Sequence, residues 1–152
     1  NNFLSQALKD SASNTPLSGD EALDVYILEV HELAKELDGL GVKLYLTSSI
    51  PQLRSDPILC RNWFATYHNN CHSGHSLIDK DYSHGAKRAS DILRDSANQL
   101  SPGYSLIDIY TPLRAQLFLS DDPYQYYYNT GHISRLGAQS LSGHIYNNLS
   151  SD

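Results

Sequence analysis

The sequence predicts an α/β protein built on a parallel sheet. Three observations predict it. Helical and strand periodicities alternate along the 152 residues in the order αβ, long loop, αβ, short β, α. The first helix runs through a glycine turn into a short β-rich segment, which is the second half of a βαβ unit. The hydrophobic fraction of 40% and charged fraction of 18% are those of a packed domain and not of a disordered chain, and the length suits one domain.

Residues 1–19 read as an irregular arm punctuated by Asn, Ser, Asp, Gly and Pro, with Phe3, Leu4, Ala7 and Leu8 as its apolar points. The domain proper is expected over 20–150. Ser18-Gly19-Asp20-Glu21 reads as a cap. Ala22, Leu23, Tyr26, Ile27, Val30, Leu33, Ala34 and Leu37 then recur at three and four, an amphipathic helix ending at Gly39 or Gly41. Val42 to Ser48 is a β-rich run stopped by Ile50-Pro51. From Pro51 to about Asp79 the chain is loop-like, a length usually reserved for binding segments or lids. A second helix is expected from Asp81 to Leu100, stopped by Ser101-Pro102-Gly103. Tyr104 to Tyr110 reads as a second strand, and Ala115 to Leu119 as a short third one. The last helix is expected from Ser134 to Leu149.

Composition narrows the function classes. With 11 Lys plus Arg against 17 Asp plus Glu, the formal charge is −6, and no basic stripe exists to neutralise phosphates, so nucleic-acid binding is not expected. No apolar run approaches the ~18 residues that span a bilayer, and the N-terminus lacks a signal-peptide pattern. Tyr is abundant at 11 beside 3 Phe, a balance that suits sugar- or protein-binding surfaces. There is no Met, and no strand is legible before the first helix. Both facts lead us to expect that the chain begins inside a longer product, with the N-terminal part of the fold supplied from upstream.

The most informative block is Tyr126-Tyr127-Tyr128-Asn129-Thr130-Gly131-His132-Ile133-Ser134-Arg135-Leu136-Gly137-Ala138. It places a histidine at the entry of an amphipathic helix, on a loop held by rigid structure. It resembles the last signature of the SGNH hydrolases, Asp-x-x-His-Leu-Ser-x-x-Gly-Ala, with Ile133 for the Leu and Asn129 for the acid. The stretch from Val30-His31-Glu32 to Tyr45-Leu46 is similar to the segment after that family's third signature. Ser49 to Arg61, with Asp56-Pro57-Ile58-Leu59-Cys60, resembles a loop of the SGNH domains fused to acyltransferase-family-3 membrane proteins, which O-acylate bacterial surface polysaccharides. Ile107-Asp108 resembles their C-terminal third. The resemblance covers about residues 20–150. It implies a three-layer α/β/α, flavodoxin-like parallel sheet and no cofactor. It also implies a location on the periplasmic or extracellular face of a bacterial membrane protein. No Gly-Asp-Ser nucleophile block occurs, so the resemblance implies a serine supplied upstream or by a membrane acyltransferase domain.

His132 is the expected general base, since imidazole takes and returns protons near working pH. Asn129 stands where the family has its acid. A carboxylate there would hold the tautomer and stabilise the imidazolium, whereas an amide can only orient. Three readings follow: a slow or silent site, an acid borrowed from Asp121 or Asp122, or a histidine oriented by a backbone carbonyl, which we favour. Cys60 and Cys71, the only two cysteines, are expected to form a disulfide in an exported domain. The rival is a zinc site from His68, Cys71, His72 and His75. Trp63, Phe64, Tyr67 and Tyr82, with Arg54 and Arg61, suit sugar rings and carboxylates; Trp63, Arg61 and Tyr127 are the expected substrate-binding residues. Tyr126 to Tyr128 are expected to alternate as a strand. His31 and His144 read as surface or satisfied histidines. The function expected is transfer or hydrolysis of acyl groups, with an acyl donor and a carbohydrate acceptor as partners; the alternative is a silent carbohydrate-binding module.

Overall fold

The structure is a computed structural model that describes residues 19–61, 71, 76–99 and 104–150. Most of the expected arm, Trp63, Phe64 and Tyr67, and the histidines of the zinc reading at 68, 72 and 75 lie outside the described residues. The elements in order are α1 (Gly19–Gly39), β1 (Tyr45–Thr47), α2 (Pro57–Cys60), α3 (Lys80–Gln99), β2 (Ser105–Ile107) and α4 (Tyr110–Leu119). A 3₁₀ turn (Pro123–Tyr126), β3 (Tyr127–Asn129), β4 (His132–Ile133) and α5 (Arg135–Ser150) complete the chain.

Packing divides the chain into two compact units, residues 1–46 with 91–106 and residues 47–90 with 107–152. In the first, α1 buries Ala22, Leu23, Val30 and Ala34 of the stripe that its periodicity marks, while Leu33 is exposed. Val30 and Ala34 form a core with Leu93 and Tyr104, against which Leu44, Leu46, Ala97 and Leu106 pack. The Tyr104 hydroxyl donates to the Leu93 carbonyl at 2.9 Å, so the phenol is buried with its polar end satisfied. The helix stops by a Schellman motif. The Val42 N–H donates to the Leu37 carbonyl and the Gly41 N–H to that of Asp38, both at 2.8 Å. Gly41 sits at φ 72°, where a side chain is disfavoured.

β1 and β2 pair in parallel. Ser105 N–H donates to the Leu44 carbonyl and Ser48 N–H to the Ile107 carbonyl, so residue numbers rise together on both strands. Both strands are three residues long, shorter than the runs 42–48 and 104–110 suggest. The turn at Gly41 takes up the start of one, and a polar knot ends the other. Buried Ser48 accepts through Oγ from the Ile109 and Tyr110 N–H groups at 2.9 and 3.0 Å. The Asp108 carboxylate accepts from the N–H groups of Tyr110 and Thr111 and from the Thr111 hydroxyl. Burial works to raise the Asp108 pKa. Those bonds, with one from the Ser48 hydroxyl, outweigh it and hold the carboxyl below its ordinary value.

This knot starts a helix, which corrects the expected third strand. Residues 115–119 belong to α4, whose buried Leu113 and Leu117 are four apart and whose Pro112 sits in the first turn, where a missing N–H costs nothing. In the second unit α4 packs on α5 and on the 3₁₀ turn, α5 packs on that turn and on β4, and α2 packs on β3. Leu113, Leu117, Leu141, Pro51 and Pro57 are almost fully buried there. Each buried leucine contributes roughly 1.5–3 kcal/mol over an exposed one.

Candidate functional site

The block around His132 folds as a β-hairpin and not as a bare loop. β3 pairs antiparallel with β4, matching Tyr127 to Ile133 and Asn129 to His132, with a register shift between the two pairs. Thr130-Gly131 makes the turn. Tyr126 belongs to the preceding 3₁₀ turn, so the expected alternation begins only at Tyr127, which is buried while Tyr128 is exposed.

Asn129 orients His132. Its Oδ1 lies 2.8 Å from His132 Nδ1 and accepts the Gly131 N–H at 3.0 Å. The second bond decides the chemistry of the first. A backbone N–H can only donate, so the amide atom facing it is the oxygen. That oxygen can pair with Nδ1 only if Nδ1 carries the proton. Nε2 then holds the lone pair, which is the tautomer that a general base requires. His132 is exposed, and among the described residues Nδ1 is the one atom of its ring with a hydrogen-bond partner. Neither the backbone-carbonyl reading nor the borrowed-acid reading holds among the described residues: Asp122 instead pairs with Arg61 at 3.4 Å.

The hairpin is braced from three sides. Leu53 N–H donates to the Thr130 carbonyl at 2.8 Å, and the Tyr127 hydroxyl donates to the Pro51 carbonyl. Leu53 also bridges to Ile78, and Gln52 and Arg54 bond the backbone of Asp79 and Leu77. On the far side Ser134 caps α5. Its Oγ accepts the Gly137 N–H at 3.2 Å and donates to the Gln125 carbonyl at 2.7 Å, while its N–H reaches the Tyr126 carbonyl. Gly137 lies so close to that carbonyl that a Cβ would overlap it, and would stand 3.1 Å from the Ile133 Cβ. Residues 134 and 137 thus seat the helix against the hairpin that carries His132.

The remaining expected residues fall as follows. Tyr127 is a strut: it is 2% exposed. Burial first, then Tyr110 and Tyr82, push its hydroxyl above the usual phenol range. Arg61, at the end of α2, is half exposed in its pair with Asp122, a contact worth little by itself. Cys60 and Cys71 form a disulfide with Cα atoms 5.5 Å apart. Cys71 therefore has no thiolate for a metal, which corrects the zinc reading. A disulfide belongs to an oxidising compartment, and among the described residues no helix is long and apolar enough to cross a membrane. His144 stands within 3.4 Å of Asn148 as a satisfied helix pair. His31 differs from expectation, because its Nδ1 is buried with no partner.

Pattern reading missed Gln52, whose Nε2 lies 3.8 Å from where a Cβ on Gly131 would stand, and the bracing role of Pro51. No local signal could have found either, since they meet the hairpin across more than seventy residues. The Ser134 cap was legible as a serine at a helix start. No protein-family model matches this chain, and no curated protein matches it.

Proposed function

We propose that this chain is the general-base half of an SGNH-type domain that transfers or hydrolyses acyl groups on bacterial surface polysaccharide, outside the cytoplasm. In this reading the two-stranded parallel sheet is the visible part of a three-layer α/β/α sheet. An upstream segment or a membrane acyltransferase domain supplies the serine. The observation that carries the reading is the His132–Asn129 pair, with the amide oxygen held by Gly131 and the Nε2 lone pair exposed.

The chemistry is nucleophilic. The serine hydroxyl attacks the acyl carbonyl and its proton passes to Nε2. The bond to the leaving alcohol breaks as Nε2 returns that proton to it. A sugar hydroxyl or water then gives its proton to Nε2 and takes the acyl group. Asn129 cannot stabilise the imidazolium as a carboxylate does. In a serine-protease triad the Asp-to-Asn change costs roughly 10⁴ in rate because the amide favours the wrong tautomer. Here the amide presents its oxygen, so that part of the penalty is absent.

The test is hydrolysis of an aryl acetate, and acetyl transfer to polysaccharide, by the full-length polypeptide. His132→Ala should lower both by about 10²–10⁴, and Asn129→Asp should raise them. Equal turnover in wild type and His132→Ala would sink the assignment. The amide at 129 also favours a second reading, a silent carbohydrate-binding module. That reading requires sugar binding without turnover, unchanged by His132→Ala.

A further inference from the structure

The first unit holds a groove of about 510 Å³ that contains none of the residues of the candidate site around His132. Its α1 wall follows i, i+3, i+4, i+7 from Asp24, and its α3 wall follows the same spacing from Ile92, so each helix gives one stripe. Ile27, Leu28 and Ile92 supply an apolar surface. Asp24 stands on one wall and Asp95 on the other, and among the described residues no Lys or Arg lines the groove. Among the described residues neither carboxylate has an ion-pair partner. Among the described residues, His31 Nδ1 is a side-chain atom buried without a hydrogen-bond partner, a condition that native proteins rarely leave without cause. His31 is itself one of the residues that line the groove.

From these features we infer that the groove binds a small organic ammonium compound with an apolar body. The apolar stem covers Ile27, Leu28 and Ile92. The ammonium sits between Asp24 and Asp95 and neutralises both, with His31 on the same wall as Asp24. The volume is that of a site for a drug-sized molecule. The paired acids select charge, because an anion would face both carboxylates and a neutral alcohol would leave them unneutralised. Added salt weakens the binding, since both acids are solvent-exposed.

The experiment is an amide-shift NMR titration of the full chain at low salt with phenylbutylammonium, phenylbutanol and phenylbutyrate. The cation should give saturable shifts at Asp24, His31 and Asp95 with a Kd on the order of 1 mM. Asp24→Asn or Asp95→Asn should each weaken it about two- to five-fold. Both positions are exposed, so neither variant threatens the fold. The inference is overturned if phenylbutanol binds as tightly, if no saturable shift occurs by about 10 mM, or if the Asn variants bind unchanged. It is equally overturned if the same amides shift with protein concentration alone, which would make a second copy the occupant.

Discussion

Replacing Gly137 by alanine sets two physical effects against each other. Helix propensity favours alanine over glycine by about 1 kcal/mol, so a reading from secondary structure alone expects stabilisation. Packing says the reverse. The new methyl would overlap the Tyr126 carbonyl and stand 3.1 Å from the Ile133 Cβ. Backbone carbonyl and hairpin cannot yield cheaply, and overpacking of this kind costs about 1–3 kcal/mol. If α5 retreats instead, it strains the bonds from Ser134 to the Tyr126 and Gln125 carbonyls, each worth about 0.5–1.5 kcal/mol. Set against the propensity gain, the expected net is a loss of up to about 2 kcal/mol, or a fall in Tm of up to several degrees at about 2–4 °C per kcal/mol. Gly143→Ala in the same helix is the matched control. Nothing lies within 4 Å of its would-be Cβ, so propensity acts alone and Tm should rise by about 2–4 °C. Thermal and urea unfolding of both variants decide the matter. If Gly137→Ala is stabilised as much as Gly143→Ala, the close approach of α5 to the hairpin is wrong.

Three further outcomes are expected. Tyr127→Phe leaves the Pro51 carbonyl without its donor and should cost about 0.5–1.5 kcal/mol in urea unfolding. The raised Tyr127 pKa contributes stability that is present below the ordinary value of 10.0 and lost as pH rises above it. Tyrosinate absorbance should therefore show one more phenol resisting ionisation in the wild type than in Tyr127→Phe. Asp108 has the opposite sign: its lowered pKa contributes stability above the ordinary value of 3.8, lost as pH falls through the lower folded value. The urea midpoint should fall on acidification through that range, and Asp108→Asn should flatten the fall. Reducing Cys60–Cys71, which closes a loop with a sequence separation of 11, should cost about 3 kcal/mol in the loop-entropy account. Unfolding with and without reductant, checked against the Cys60→Ser, Cys71→Ser double variant, measures it.

The sequence by itself determined the elements whose physics is local. α1, α3 and α5 announced themselves through apolar residues at three and four, and Gly41 marked the first stop because only the left-handed backbone there needs it. The pairing of His132 with Asn129 was legible too, because both lie in one short block at a helix entry. Tertiary structure decided what long-range partners decide. Residues 115–119 became helix because Ser48, some sixty residues away, and Asp108 capture the N–H groups that open it. Tyr127 became a strut because Pro51 folds over it. The last decision concerns Asn129. Spacing places an amide beside a histidine but cannot say which end it presents. The Gly131 N–H, brought into position by the hairpin turn, turns the oxygen toward Nδ1 and leaves the lone pair on Nε2.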